Sequence, residues 1–464
     1  MTMWPPQKND LPRPVYRSLA QAVLRAIEAG ELTKGDRLPP HRELSYQLGI
    51  SVQTVSRAYE ELIRLGVING EVGRGTYISE NQVDNKTPNF YLPADQRKQL
   101  IDLSVLKPVC AQVQIDAMRT ALFGLGGNLP ADVVFSFRPA TARHSYLIQA
   151  KKWLSLCDLD APLDSILLTN GSTASMTVAL MTVARTGDRI IAEDFCHHTL
   201  KPLATYLGMK LDGCMIDDEG IIPKELDRLC EIKRPKALYV MPNGLNPRAR
   251  IMGPSRRRQL ANLAKKHDFY IIENDAWGPI QPEVHPPIYT FATDRVLYFT
   301  GFTKCLMPGL RAGYLVVPEQ LKTAAANRHL VSSWMATSIS IEIVTRWIEN
   351  GTAKELLEWQ KAALKQRNKI ASDAFVGLSY LSSPHGMHIW LPITEDWTED
   401  AFVTQLRKNG VATGAGSAFA VETGRVANAV RICLGPTSEA DLAKGLSIIR
   451  QQLASQPILE SLNL

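Results

Sequence analysis

The chain has 464 residues, 45% of them hydrophobic and 21% charged, with a formal net charge of +6. That length exceeds one hydrophobic core and predicts two or three domains, and the composition excludes a disordered or collagen-like chain. The positive balance tilts weakly toward an anionic partner. Seven cysteines, scattered, odd in number and without a C-x-x-C pair, argue against a disulfide framework or a structural zinc site and for a reducing compartment. No charged-then-apolar leader opens the chain, and no apolar run approaches about 18 residues. A cytoplasmic protein away from the membrane is expected.

Residues 14–78 read as helix, helix, turn, helix and short strands. "PVYRSLAQAVLRAIEAG" places Val15, Leu19, Val23 and Ile27 at helical spacing, and Gly30 suits the stop. "PPHRELSYQLGISVQTVSRAYEELIRLG" predicts a second amphipathic helix, a turn at Gly49 and a third helix opening at Ser51. After Gly66, "VINGEVGRGTYI" alternates around Asn-Gly and Gly-Arg-Gly, the pattern of a small hairpin. Two helices about a short Gly-containing turn make a helix-turn-helix, and the hairpin makes it winged. The start of the third helix presents Ser51, Val52, Gln53, Thr54 and Ser56, of which Gln53 suits an adenine edge. Arg37, Arg42 and Arg57 are placed for phosphates, and Arg74 and Gly75 form a wing tip that suits the minor groove.

Residues 80–100 are polar and aperiodic and read as a linker between a domain at 10–79 and one at 101–464. From about 135 to 330 the rhythm changes. The runs "SILLTN", "RIIAED", "ALYVMP", "FYIIEND", "RVLYFT" and "AGYLVVP" alternate with helical stretches, predicting a mainly parallel sheet covered on both faces. Ligands sit at the carboxyl ends of such strands, and the polar clusters fall there, among them Asn170 to Thr173, Glu273 to Asp275 and Thr300 to Lys304. Residues 331–464 predict a smaller α+β subdomain.

The segments G-D-R-L-P, R-E-L, T-V-x-R-A-Y-x-x-L and G-R-G-T-Y, in that order within residues 35–78, resemble the GntR-type winged helix-turn-helix. Val52 stands where these proteins often carry an arginine that touches DNA, so an operator sequence does not carry over.

The remaining clusters resemble the aspartate-aminotransferase-like fold, type I of the pyridoxal-phosphate enzymes, over residues 98–464. The resemblance is carried by an ordered set of segments. "LLTNGSTAS" is similar to the phosphate-cup turn, implying Ser172 and Thr173 on the phosphate. "IAEDFCHHT" is similar to the segment of the ring-stacking side chain, implying His197. "MPNGLNPRAR" is similar to N-P-T-G, implying Asn246 as donor to the cofactor's phenolic oxygen, with Arg248-Ala249 in place of Thr-Gly. "TGFTKCLMPGLRAGY" is similar to the Schiff-base segment, implying Lys304 as anchor and Arg311 on the phosphate. Thr303 or Thr300 assists, and Gly301 occupies a position that often carries a serine. "IIENDAWGP" is similar to E-D-D-x-Y, with Asn274 for the first aspartate and Trp277 for the tyrosine, leaving the pyridine-nitrogen partner open between Asn274 and Asp275. "NAVRICLG" is similar to the strand whose arginine grips a carboxylate, implying Arg431.

A GntR-type reader, a linker and an aminotransferase-like domain make up the MocR subfamily of bacterial transcription regulators. The expected fold is therefore multi-domain. A mainly α winged helix-turn-helix precedes an α/β fold type I domain with a large subdomain (about 135–330) and a smaller α+β one (about 331–464). The resemblance implies pyridoxal 5′-phosphate on Lys304, a double-stranded DNA operator and a small amine or amino-acid effector displacing Lys304. It also implies a head-to-tail homodimer and a bacterial cytoplasmic protein that joins the nucleoid when bound to DNA. The alternatives are a working aminotransferase with an appended reader, for which Lys304, Asn246, Arg311 and Arg431 are present and against which Asn274, Trp277 and the lost Thr-Gly stand, and a vestigial site that only dimerises the readers.

Overall fold

The structure, a computed structural model, describes residues 4–7, 10–12, 14–33, 35–64, 67–71, 75–78, 100–135, 144–244, 246–281, 283–422 and 427–456. The chain divides into two compact units, Met1–Tyr91 and Leu92–Leu464. The expected linker lies outside the described residues up to its last position, and so does Arg74.

In the first unit, helices α1 (Val15–Glu28), α2 (His41–Leu48) and α3 (Val52–Arg64) enclose an apolar core. Leu19 and Val23 of α1 are fully buried with Val55, Tyr59 and Leu62 of α3, while Val15 and Ile27 flank them, half-buried. Gly49 ends α2 at φ 60°, a left-handed conformation that costs a glycine nothing. Ser51 then caps α3, its hydroxyl accepting from the Thr54 amide at 3.1 Å. The wing has one strand more than expected. Strands β1 (Arg37–Leu38), β2 (Ile68–Glu71) and β3 (Gly75–Ile78) form an antiparallel sheet in the order β1-β3-β2. A two-residue strand carries no alternation to read, and only its pairing with Tyr77 and Thr76 defines β1.

The second unit is built on a seven-stranded sheet. Its strands are β4 (Ile166–Thr169), β5 (Arg189–Glu193), β6 (Lys210–Cys214), β7 (Ala237–Val240), β8 (Tyr270–Asp275), β9 (Val296–Gly301) and β10 (Gly313–Val316). Their order is β4-β10-β9-β8-β7-β5-β6, and β10 runs against the others. The edge strand β6, "KLDGC", is too polar to read as an apolar run, which is why sequence reasoning passes over it.

Helix α4 (Ser172–Val183) covers one face of this sheet, its Met176, Val178 and Ala179 sharing a core with Tyr239, Ile272 and Phe299. The opposite face buries Ile271, Tyr298 and Trp277 with Trp153 and Trp347 from flanking helices. Register sets the rim where ligands sit: Asp275 pairs with Thr300, Gly301 with Gly313, and Gly313 with Thr169.

A smaller antiparallel sheet, β11 (His388–Pro392), β12 (Gly414–Ala415) and β13 (Ala429–Cys433), has the order β11-β13-β12. Its core takes in Phe402, Leu442 and Ile449 from two helices, and also Leu103. Ile101–Asp102 pairs in parallel with Val411–Ala412, so the segment that opens this unit belongs to the smaller subdomain. Ile341, Val344 and Leu356, by contrast, pack on the large core. Among the described residues no helix is long and apolar enough to cross a membrane, and no group of three or more His, Cys, Asp or Glu could hold a metal ion.

Leu62 is fully buried between α1 and the wing. Leu62→Ala is expected to destabilise the first unit by about 2–5 kcal/mol, read as an earlier denaturant midpoint for the isolated transition of that unit.

Candidate functional site

Strand β9 ends at Gly301, and the short helix Phe302–Cys305 lifts Lys304 from the sheet rim. Lys304 Nζ donates to the Leu106 carbonyl at 2.5 Å. Burial, then the Arg431 guanidinium, lowers its pKa to about 8. A desolvated amine among cations is a nucleophile near neutral pH. Thr303 lies half-buried on the same turn.

Beside it, Gly171 opens α4 at φ 84° without a side-chain cap, so the first helix amides lack a side-chain acceptor and face the rim. Ser172 is half-buried there and Thr173 exposed. A Cβ on Gly301 would lie 2.7 Å from Ser172 Oγ, and one on Gly313 would lie 2.8 Å from the Thr300 carbonyl and 3.0 Å from Gly171 Cα. A side chain at position 301 would crowd the Ser172 hydroxyl that occupies that space. Arg311, at φ 44°, lies over Gly171 and donates to the Asn170 carbonyl at 3.4 Å. This cradle of glycines, helix amides, hydroxyls and one guanidinium suits a phosphate.

Arg431 projects from β13 and is buried. Its Nη1 donates to Asn246 Oδ1 at 3.1 Å, its Nη2 donates to the Ser104 carbonyl at 2.7 Å, and its guanidinium carbon lies 4.4 Å from the Phe419 ring centre. Buried donors without a partner at this site include Asn246 Nδ2, Trp277 Nε1 and Arg431 Nε. Trp277 stacks on His388 (5.6 Å), and its Nε1 approaches within 2.9 Å of where a Gly244 Cβ would be. His388 Nε2 is 3.1 Å from the Pro247 carbonyl, which closes the ring of neighbours around Asn246. A pair of unsatisfied donors is costly in an interior unless something accepts from them.

His197 is held by Thr199, with Nδ1 and Oγ1 2.7 Å apart, and lies against His198. Burial, His198, Lys304 and Arg431 together hold its pKa well below the usual histidine range. A neutral, flat ring beside Lys304 suits stacking on an aromatic cofactor. Ala249, which stands where the resembling segment has glycine, is held at φ 55°, the conformation glycine adopts without strain.

Asn274 and Asp275 face opposite sides of the sheet, as neighbours in a strand must. Asn274 shares the α4 face with Tyr239, to whose hydroxyl its Nδ2 donates at 2.6 Å. Asp275 turns to the other core. Tyr298 donates to its Oδ2 at 2.6 Å and the Gly278 amide to its Oδ1 at 3.1 Å. The structure thus gathers Lys304, Arg311, His197, Asn246 and Arg431 through charge and hydrogen-bond contacts, with Ser172 against Gly301, and it turns Asn274 to the α4 face and Asp275 away from it.

Sequence reasoning missed the Ser104 and Leu106 carbonyls, which accept from Arg431 and Lys304. Backbone acceptors leave no side-chain signature. It also missed Tyr239, which reads as an ordinary buried strand residue, and Phe419. A cavity of about 230 Å³ lined by Asp194, Phe195, Ile216, Arg248, Trp390 and Ala427 lies among neighbours of the site residues. Trp390 faces Arg431 across two strands.

In the first unit Ser51, Val52, Gln53 and Arg57 are exposed on α3, and Thr54 and Ser56 half-buried. Arg57 rests over the Tyr16 ring at 4.7 Å. Arg42 is exposed on α2 and Arg37 on β1, the latter lying over Gly75. The Ser51 hydroxyl is committed to capping. Tyr46, 89% exposed on α2, is a further groove-facing candidate that an amphipathic reading of that helix does not single out.

Residues 156–449 match the family of class I and II aminotransferases, and residues 15–78 match bacterial regulatory proteins of the gntR family. The sequence is 25% identical over 451 residues to the uncharacterized HTH-type transcriptional regulator YdeF of Bacillus subtilis (strain 168), spanning 97% of this chain and 96% of that protein. It is 24% identical over 456 residues to the uncharacterized HTH-type transcriptional regulator YjiR of Escherichia coli (strain K12), spanning 91% and 96%. The fold superposes on kynurenine aminotransferase from Pyrococcus horikoshii at a TM-score of 0.70 with 19% identity, covering 78% of this chain and 95% of that one. Aspartate aminotransferase from Thermus thermophilus gives 0.67, with 20% identity and coverage of 77% and 94%.

The amine chemistry has a pH signature. Condensation with an aldehyde needs neutral Lys304, whose neutral fraction grows as pH rises through about 8. Reconstitution of the apo-protein with pyridoxal phosphate, followed by visible absorbance, is expected to speed up with pH and reach half its maximum near about 8. Arg431→Gln removes a lowering charge and should move that midpoint upward.

Proposed function

We propose, for a chain that belongs to the class I and II aminotransferase family and carries a gntR-family reader ahead of it, that it works as a pyridoxal-phosphate-dependent, DNA-binding transcription regulator that senses a small amine or amino acid at Lys304. The two parts together form the MocR arrangement. The observation that carries the reading is the pair of unsatisfied buried donors, Asn246 Nδ2 and Trp277 Nε1, beside a lysine whose pKa is lowered to about 8.

When bound, pyridoxal phosphate supplies an electrophilic carbon that condenses with primary amines. The residues present fit it. Arg311, Ser172, Thr173 and the α4 amides hold the phosphate, His197 covers the ring, and Asn246 and Trp277 donate to the phenolic oxygen. Lys304 anchors the group and is the amine that an effector competes with. Arg431, already engaging Asn246 and Ser104, is placed to grip an effector's carboxylate in exchange. The nearby 230 Å³ cavity suits a small effector body. Effector contacts that differ between two subdomain arrangements bias one of them, and the bias passes to operator affinity.

A homodimer fits the apolar surface. Phe123, Phe135 and Val331 are each more than four-fifths exposed, at 83%, 81% and 83%, and Leu122, Val134 and Trp334 are exposed too. A monomer rarely leaves a large contiguous apolar patch in water, and a dimer interface would cover these side chains. Paired readers imply a repeated or palindromic operator.

The presence of Lys304, Asn246, Arg311 and Arg431 on one rim also supports a second reading, a working aminotransferase with an appended reader. The two separate on one experiment. Holo-protein is titrated with a panel of amines and amino acids while cofactor absorbance and operator binding are followed together. An effector that changes both, with loss of the response in Lys304→Ala, is the expected result. Sustained turnover with an amino donor and a keto acid at about 1 per second or more would replace the regulator reading. At the DNA end, Gln53→Ala is expected to cost about 1–3 kcal/mol and relax base preference, whereas Arg42→Ala should weaken all sequences alike and reduce the salt dependence.

A further inference from the structure

Two consecutive residues of β8, Asn274 and Asp275, stand where a ring-nitrogen partner belongs, and their hydrogen bonds separate their roles. Asp275 is spent on Tyr298 and Gly278 in the opposite core. Asn274 lies on the α4 face, and its amide orientation follows from its partners. The Ala276 amide can only donate, so the atom it meets at 2.9 Å is Oδ1. Nδ2 therefore points to the Tyr239 hydroxyl at 2.6 Å, and the second hydrogen on Nδ2 remains for a further acceptor.

We propose that Asn274 holds the cofactor's ring nitrogen in its unprotonated state, donating to it through Nδ2, and that this residue makes the site a binder of amines that does not transfer their amino groups. The inference rests on the cofactor reading above. An amide N–H finds an acceptor only on a neutral pyridine nitrogen, whereas a carboxylate would keep a proton there. Among the described residues, Glu193 and Cys196 are titratable groups that reach the Tyr239 phenol to which the amide donates. Burial keeps the Tyr239 phenol and the Cys196 thiol protonated and pushes Glu193 up to about 8. All three are mainly neutral at pH 7. Without a protonated ring nitrogen the ring withdraws electrons weakly, so the Cα–H of a bound amino acid is not acidified and the ligand is held rather than converted.

The test is ring-nitrogen NMR on holo-protein reconstituted with pyridoxal phosphate labelled with ¹⁵N in the ring. The expected wild-type signal lies in the range of neutral pyridine, and Asn274→Asp should move it to the pyridinium range. The same substitution should raise keto-acid release from added amino acids by about tenfold or more, equivalent to about 1.4 kcal/mol. A pyridinium signal in the wild-type protein overturns the inference while leaving the cofactor reading intact. Failure to take up the label at Lys304, judged by comparison with Lys304→Ala, overturns both. The wild-type measurement decides even where Asn274→Asp does not fold.

Discussion

The chemistry of this molecule depends on one partly buried amine. Lys304 sits at the end of a parallel strand, held by a backbone carbonyl, with Arg431, Arg311 and Lys107 as its nearest positive neighbours. Water is the natural partner of an ammonium ion, and the fold removes part of it. The cost of that burial falls on the charged form, so the amine is poised to react near neutral pH. The cations that help to lower its pKa are also those suited to holding a phosphate and a carboxylate. Placing anion-binding groups around the lysine and activating it are therefore one electrostatic arrangement.

The sheet divides the polar residues at its rim into two sets. Side chains alternate along a strand, so the run Glu273-Asn274-Asp275 cannot serve one site. Glu273 and Asp275 turn to the core where Glu273 accepts from the Ile288 and Tyr289 amides and Asp275 from Tyr298. Asn274 alone turns to the α4 face. The buried acids anchor a loop and a strand, while the amide binds the Tyr239 hydroxyl on the other face. One strand supplies both a structural face and a chemical one.

Glycine placement shows the same economy. Gly171, Gly301 and Gly313 meet where α4 begins, and the distances a Cβ would make there, 2.7 Å at Gly301 and 2.8 Å at Gly313, show that the helix start approaches the sheet rim through backbone alone. This close approach turns an ordinary strand-to-helix turn into a cradle. In the first unit the Gly49 turn does comparable work, reversing the chain so that α3 presents Val52, Gln53 and Arg57 to solvent. The chain belongs to the class I and II aminotransferase family and carries a gntR-family domain ahead of that match.

Much was legible in the residues alone. Helical spacing at Leu19 and Val23, the turn at Gly49, six of the seven strands and the order of Ser172, His197, Asn246, Lys304, Arg311 and Arg431 are local or sequential properties, and local pattern encodes them. What stayed hidden depends on contacts between distant segments. The edge strand Lys210–Cys214 is defined by pairing with β5 rather than by its polar composition. The carbonyls of Ser104 and Leu106 carry no side-chain signal. The choice between Asn274 and Asp275 is invisible in "END", because it depends on which face of the sheet each side chain occupies. The sequence by itself determined the two-part architecture and the inventory of site residues. Only the tertiary structure decided which of them share a face, because facing is a property of the sheet and the helix packed on it, not of any segment read alone.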